Sequence, residues 1–191
     1  MESEVVTNLT SDLSGCSEYN GDVKAAVDEL LVLLVRFVAD RINAQANRKN
    51  YLFDPEANEN DLHQDLYDYL RSTDLGATTE MEVQHIGGGR IDIRILFNGF
   101  GLHAELKVDD TKTAMADKTA YVKQAVAYQA TDVRIGFLVA LRTKAFDPTG
   151  PTPHLTSLFE HMTFDVEGDP VPRHIVMIQV PGNRTAPSKM R

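Results

Sequence analysis

Two runs of alternating residues flank Asn98-Gly99, and this arrangement restricts the fold more than anything else in the sequence. Asn-Gly is a strong short-range signal for a tight hairpin, because both central positions of the favoured turn need positive φ. Before it, Arg90-Ile91-Asp92-Ile93-Arg94-Ile95-Leu96-Phe97 alternates and is rich in β-branched residues; after it, residues 102–108 return in the same rhythm. A two-residue turn sets Phe97 against Phe100, Ile93 against Ala104 and Asp92 against Glu105. A four-residue loop sets Phe97 against Leu102 and Asp92 against Lys107 instead. Both registers sort the side chains alike, since successive residues of a strand point to opposite faces. One face collects Ile91, Ile93, Ile95, Phe97, Leu102, Ala104, Leu106 and Val108. The other collects Asp92, Arg94, Leu96, His103, Glu105 and Lys107.

A solvated outer face would explain those charges without any active site. Their types and positions weigh against that explanation. Residues opposed across antiparallel strands have Cβ atoms about 4.5–5.5 Å apart, and two uncompensated carboxylates at that distance repel. A divalent cation removes the penalty. Mg²⁺ takes a few carboxylate oxygens and keeps several waters, one of which can attack a phosphodiester. Lys107, two residues beyond Glu105 on the same face, can orient or deprotonate that water or offset charge developing on the phosphate. The acidic-x-Lys triplet occurs three times, at Asp22-Val23-Lys24, Glu105-Leu106-Lys107 and Asp110-Thr111-Lys112. Only the middle one falls inside an expected strand that faces another acid.

Around this hairpin the pattern reads as an α/β chain. Residues 1–20, rich in Ser, Glu, Asn and Thr, read as a flexible N-terminal arm. Residues 21–50 form an N-terminal helical extension, with Val23, Val27, Leu30, Leu31, Leu34, Phe37, Val38 and Ile42 at helical spacing. The apolar stretch 30–39 is too short to span a bilayer, which needs about 20 residues, and Arg36 interrupts it. No membrane association is expected, and a homodimer through this helix is. Asp54-Pro55 and Asn58 provide helix-start chemistry ahead of Leu62, Leu66 and Leu70, with Glu59 on the same face and Asp61 as a competitor for its duty. Residues 81–85 read as a short strand, 113–130 as a long helix, 135–141 as a buried strand parallel to a neighbour, and 175–180 as a late strand. Pro148, Pro151 and Pro153 mark a loop. The main domain is expected over 51–180, followed by a C-terminal tail at 181–191.

Charge and cysteine content narrow the function. The net charge of −9 excludes a generic nucleic-acid coat protein, which needs surplus Lys and Arg to neutralise phosphates. Between His85 and Lys144, however, nine basic residues stand against six acidic ones, a local +3, so the remainder carries −12. Cys16 has no partner in the chain, and the start Met1-Glu2-Ser3-Glu4 lacks the features of a secretory signal, so a cytoplasmic location is expected. His63, His85 and His103 are too scattered for a zinc site. The glycines at 87–89 lack the following helix that a nucleotide-binding loop requires, and no serine- or cysteine-centred nucleophile motif is present. Arg90 and Arg94 are candidates for phosphate contact.

The ordered set comprising a helix with Glu59, the run Gly88-Gly89-Arg90-Ile91-Asp92-Ile93, the triplet Glu105-Leu106-Lys107, and Gln124 with Tyr128 on the next helix resembles the PD-(D/E)XK nuclease superfamily. That superfamily includes restriction endonucleases, Holliday-junction resolvases and RecB-type exonuclease domains. The likeness covers about residues 59–141, and Ile91 stands where the family name has proline. It implies a restriction endonuclease-like core, a mixed β-sheet flanked by helices, with the helical extension added at the N-terminus. It also implies Asp92 and Glu105 as ligands of Mg²⁺ or Mn²⁺, with the Leu106 carbonyl as a third contact and Lys107 as the catalytic lysine. Glu59 would assist through water or a second metal, and Gln124 and Tyr128 would position the substrate backbone. The expected activity is hydrolysis of DNA phosphodiesters. The alternatives are an RNA- or tRNA-cleaving nuclease toxin, and a catalytically inactive nuclease fold serving as an interaction or dimerisation module.

Overall fold

A three-stranded antiparallel meander, β1 (Thr79–Ile86), β2 (Gly89–Phe97) and β3 (Phe100–Asp109), is built around the Asn98-Gly99 turn. Gly99 takes φ +92, a conformation open to glycine without steric cost. The two-residue register is the observed one, with Phe97 opposite Phe100 and Ile93 opposite Ala104. The free edge of β3 then pairs in parallel with β4 (Ile135–Arg142), which pairs in parallel with β6 (Arg173–Pro181); β5 (Phe159–Phe164) closes the far side antiparallel to β6. The sheet order is β1-β2-β3-β4-β6-β5, an α/β arrangement with a six-stranded mixed sheet flanked by helices. The computed structural model describes residues 1–86, 89–127, 129, 133–144 and 153–185, excluding the side chains of 83–86, 89, 90 and 116.

Alternation divides the two faces as the sequence predicts. Ile93, Ile95, Leu102, Ala104, Leu106, Phe137, Val139, Val176 and Ile178 belong to one apolar cluster with three helices: α1 (Glu2–Leu13), α2 (Gly21–Ile42) and α3 (Glu59–Arg71). The opposite face carries α4 (Thr119–Ala127), whose Val122, Ala125 and Val126 meet Leu138, Ala140, Ile175 and Met177. Every residue of β4 is buried, as suits a strand covered on both faces. Among the described residues no helix is long and apolar enough to cross a membrane.

Three expectations about the ends of the chain are corrected. The loose arm expected over 1–20 contains α1, whose Val5, Leu9 and Leu13 are buried one turn apart against the core. A helix of 12 residues is marginal alone, and burying such side chains, each worth about 1.5–3 kcal/mol, is what holds it. Residues 21–42 are no appendage either, because Leu30, Leu31, Leu34, Phe37 and Val38 lie in the same cluster as the sheet. The tail expected from 181 onward is anchored at least as far as Arg184. Its guanidinium donates to the carbonyls of Arg41 and Ile42 at 2.5 and 2.6 Å, satisfying the exposed C-terminal acceptors of α2.

Other boundaries moved. The helix expected over 113–130 is a 3₁₀ turn at Met115–Asp117 followed by the shorter α4. Strand β5 was not anticipated; its residues read partly polar because it lies at the sheet edge. The expected loop prolines Pro148 and Pro151 lie outside the described residues, and Pro153 precedes the 3₁₀ turn Leu155–Leu158.

A buried ionic network fixes α3 against α2. Arg41 grips both oxygens of Asp65, Nε to Oδ2 at 3.0 Å and NH2 to Oδ1 at 2.8 Å. Tyr51 donates to Oδ2 at 2.8 Å, Lys49 joins on Oδ1, and the guanidinium lies 3.9 Å from the centre of the Phe37 ring. Burial pushes the Asp65 carboxyl up, but the bonds from Arg41 and Lys49 outweigh it and hold the group below its ordinary value.

Candidate active site

The start of α3 is set by reciprocal capping. Asn58 Oδ1 accepts the N–H groups of Asn60 and Asp61 at 2.9 and 3.3 Å, and Asp61 Oδ2 accepts the N–H of Asn58 at 2.9 Å. Asp61, a competitor for the role of Glu59, is thereby committed to the cap. Glu59 keeps its carboxylate available and places Oε2 3.7 Å from Lys107 Nζ.

On the sheet, the antiparallel pairing of β2 and β3 runs from the turn to Ile93 and Ala104. Beyond that pair, side chains connect the strands. Asp92 Oδ2 accepts the main-chain N–H of Leu106 at 2.8 Å, so Asp92 reaches past Glu105 to the next residue. On the other side of β2, Glu82 adopts φ +55 between the pairs Met81–Ile93 and Val83–Ile91, at the position that would face Asp92. A left-handed glutamate inside a strand costs on the order of 1–3 kcal/mol and persists where its surroundings impose it. His63, on α3, approaches Asp92 from the helix layer, with Nε2 2.8 Å from the Asp92 carbonyl oxygen. A carbonyl only accepts, so Nε2 carries the proton.

The face with Asp92, Glu105 and Lys107 is not a solvated one. Asp92 and Glu105 are each 5% exposed, His103 is buried, and Lys107 is half-buried. Lys107 Nζ lies 2.7 Å from Glu105 Oε1 and donates to the Leu106 carbonyl at 2.8 Å. Burial, and then the charge of Asp92, push the Glu105 carboxyl up to about 7 despite the bond from Lys107. Burial opposes the charge on Lys107, yet Glu105, Glu59 and Asp92 together raise its pKa above the ordinary lysine value.

Glu105 Oε2 is buried with no hydrogen-bond partner among the described residues, an acceptor left over after Lys107 takes Oε1. The Lys107 ammonium bridges the Glu105 carboxylate and the Leu106 carbonyl, so the oxygens assigned to a metal already converge on positive charge. Among the described residues no group of three or more His, Cys, Asp or Glu forms a ready-made metal cluster. The donor set is instead two carboxylates and a carbonyl, which suits a hard ion that retains waters.

The structure thus gathers Asp92, Glu105, Leu106, Lys107 and Glu59. It does not gather every residue named for substrate contact. Arg94 stands 4.0 Å from Glu80 on β1, and Gln124 is exposed on α4. The Arg90 side chain and Tyr128 lie outside the described residues. The sequence reading missed His63, considering it only as a zinc ligand. The available signal was its position one turn after Glu59 on a helix packed against the hairpin. Further along β3, fully buried Asp109 sits 3.3 Å from Lys118 and 3.5 Å from Arg142, a second ionic cluster on the same face.

A concavity of about 940 Å³ lies elsewhere, between α1 and α2 and bordered by His154. Val6, Val32, Val35, Ala39 and Ile42 line it with Arg36, and no residue of the cluster does. We favour the cluster, because it concentrates the perturbed ionisable groups that chemistry requires. No protein-family model, curated protein or solved structure matches the chain.

Proposed function

We propose that the chain is a metal-dependent nuclease that hydrolyses DNA phosphodiesters on a restriction endonuclease-like core. The observation that carries this reading is the convergence of Asp92, Glu105, Lys107 and the Leu106 carbonyl on one buried spot of the sheet, with one Glu105 oxygen left without a partner among the described residues. Asp92, Glu105 and Leu106 would hold Mg²⁺ or Mn²⁺, which supplies Lewis-acid stabilisation to a phosphoryl group when bound. The carboxylates around Lys107 favour its charged form, which suits a donor that orients water and balances charge developing on phosphate. Glu59 borders Lys107 from a partly exposed position and can pass a proton to solvent.

The test is incubation of purified protein with plasmid and linear DNA in Mg²⁺, then with EDTA, then with Lys107→Ala. Activity unaffected by both treatments defeats the reading. An RNA and tRNA panel run alongside distinguishes a ribonuclease with the same chemistry. The net charge of −9 favours a second reading, an inactive nuclease fold acting as an interaction module. Calorimetry separates the two, since a module shows no Mn²⁺ binding that is lost on Asp92→Ala.

A further inference from the structure

We infer that His63 is the positioning residue of this site, fixing Asp92 and Glu59 relative to one another; the inference rests on the nuclease reading. Asp92 lies in the middle of β2, where the pairing with β3 has ended and the facing residue of β1 is in a left-handed conformation. Two hydrogen bonds among the described residues hold it there. Its carboxylate accepts the Leu106 N–H, and its carbonyl accepts the Nε2–H of His63, both at 2.8 Å.

His63 is 5% exposed and lies one helical turn after Glu59. The two side chains therefore share a face of α3. One touches the main chain of Asp92 and the other comes within 3.7 Å of Lys107. The imidazole is thus the hydrogen bond through which α3 is registered on the functional strand. The leucines of the same helix, Leu62, Leu66 and Leu70, contribute only non-directional packing, which tolerates sliding that a hydrogen bond does not. A carboxylate whose backbone is unpinned presents its oxygens less reproducibly to a cation, and groups that orient ligands in this way are worth about 10–100-fold in affinity.

The experiment compares wild type with His63→Ala, His63→Asn and His63→Gln. Asn is too short to reach the Asp92 carbonyl, whereas Gln can put an amide nitrogen near the place of Nε2. Circular dichroism establishes folding. Mn²⁺ binding is measured by calorimetry, and hydrogen exchange is measured at the Leu106 amide in metal-free protein. His63→Ala and His63→Asn are expected to bind Mn²⁺ on the order of tenfold more weakly, with Gln restoring most of the loss. The Leu106 amide is expected to exchange on the order of tenfold faster in the first two variants, because its acceptor has lost its support. If Ala fails to fold, Asn and Gln carry the comparison. Wild-type affinity and unchanged Leu106 exchange in a folded Ala or Asn variant overturn the positioning role. If wild type binds no Mn²⁺, the nuclease reading has failed instead, and Leu106 exchange alone decides whether His63 positions Asp92.

Discussion

Nζ of Lys107 stands 2.7 Å from Oε1 of Glu105, its neighbour two places back on the same strand. The contact places a retained proton inside a carboxylate pair, and its removal should affect chemistry more than folding. Lys107→Ala is expected to lower DNA cleavage about 10²–10³-fold, the range for loss of one preorganised donor. Plasmid nicking at saturating Mg²⁺ measures this, with a melting curve to show that the variant is folded.

Glu105 gives the fold a pH dependence of definite sign. Its folded pKa of about 7 exceeds the ordinary 4.5, so the folded chain binds this proton more tightly than the unfolded one. That contribution, roughly 3 kcal/mol, is complete below about pH 4.5 and gone above about pH 7. His161 and His174, whose values burial lowers, act oppositely, adding stability as pH rises through their ordinary range near 6.5. The Glu105 contribution is therefore read as the difference between wild type and Glu105→Gln in urea titrations with EDTA from pH 4.5 to 8.5. Wild type should lose stability relative to the variant across that window, and Mg²⁺ or Mn²⁺ should restore part of it at the alkaline end. Parallel curves for the two proteins would falsify the assignment.

The Arg41–Asp65 pair makes a prediction about stability alone. Asp65→Ala leaves a buried guanidinium with only the exposed Asp40 at 3.9 Å as counter-charge and is expected to cost about 3–5 kcal/mol. Replacing both residues with apolar ones of similar volume should recover much of that loss. Denaturant midpoints of the single and double variants measure the contrast.

Gly76 follows α3, and a Cβ there would stand 2.3 Å from the Arg71 carbonyl oxygen. That oxygen belongs to the backbone and cannot swing away, so Gly76→Ala must shift the connection into β1. We expect a loss of about 1–3 kcal/mol, measured by thermal unfolding.

Much of the sheet and part of the site were legible in the sequence, because both depend on local rules. Asn98-Gly99 located the hairpin and left two registers open, and period-two alternation put Asp92, Glu105 and Lys107 on one face in either of them. The separation of the strands beyond Ile93 was not legible. It coincides with a contact from α3, 29 residues away in the case of His63 and Asp92, and with a left-handed Glu82 that no propensity signals. Opposition of Asp92 to Glu105, or in the longer loop to Lys107, was the expectation, whereas the observed link runs from Asp92 to the Leu106 amide. Helix α1 was missed because its buried residues are only Val5, Leu9 and Leu13 amid a largely polar segment. That sparse stripe gains meaning only when a sheet is present to receive it.

The sheet order has a consequence for biosynthesis. Strand β6 is inserted between β4 and β5, and Arg184 closes the end of α2. The helices are made first, so their leucines lack the cover of Val176, Ile178 and Val180 until β6 has left the ribosome. Chains stalled earlier would present that uncovered surface to chaperones, and mature protein would not.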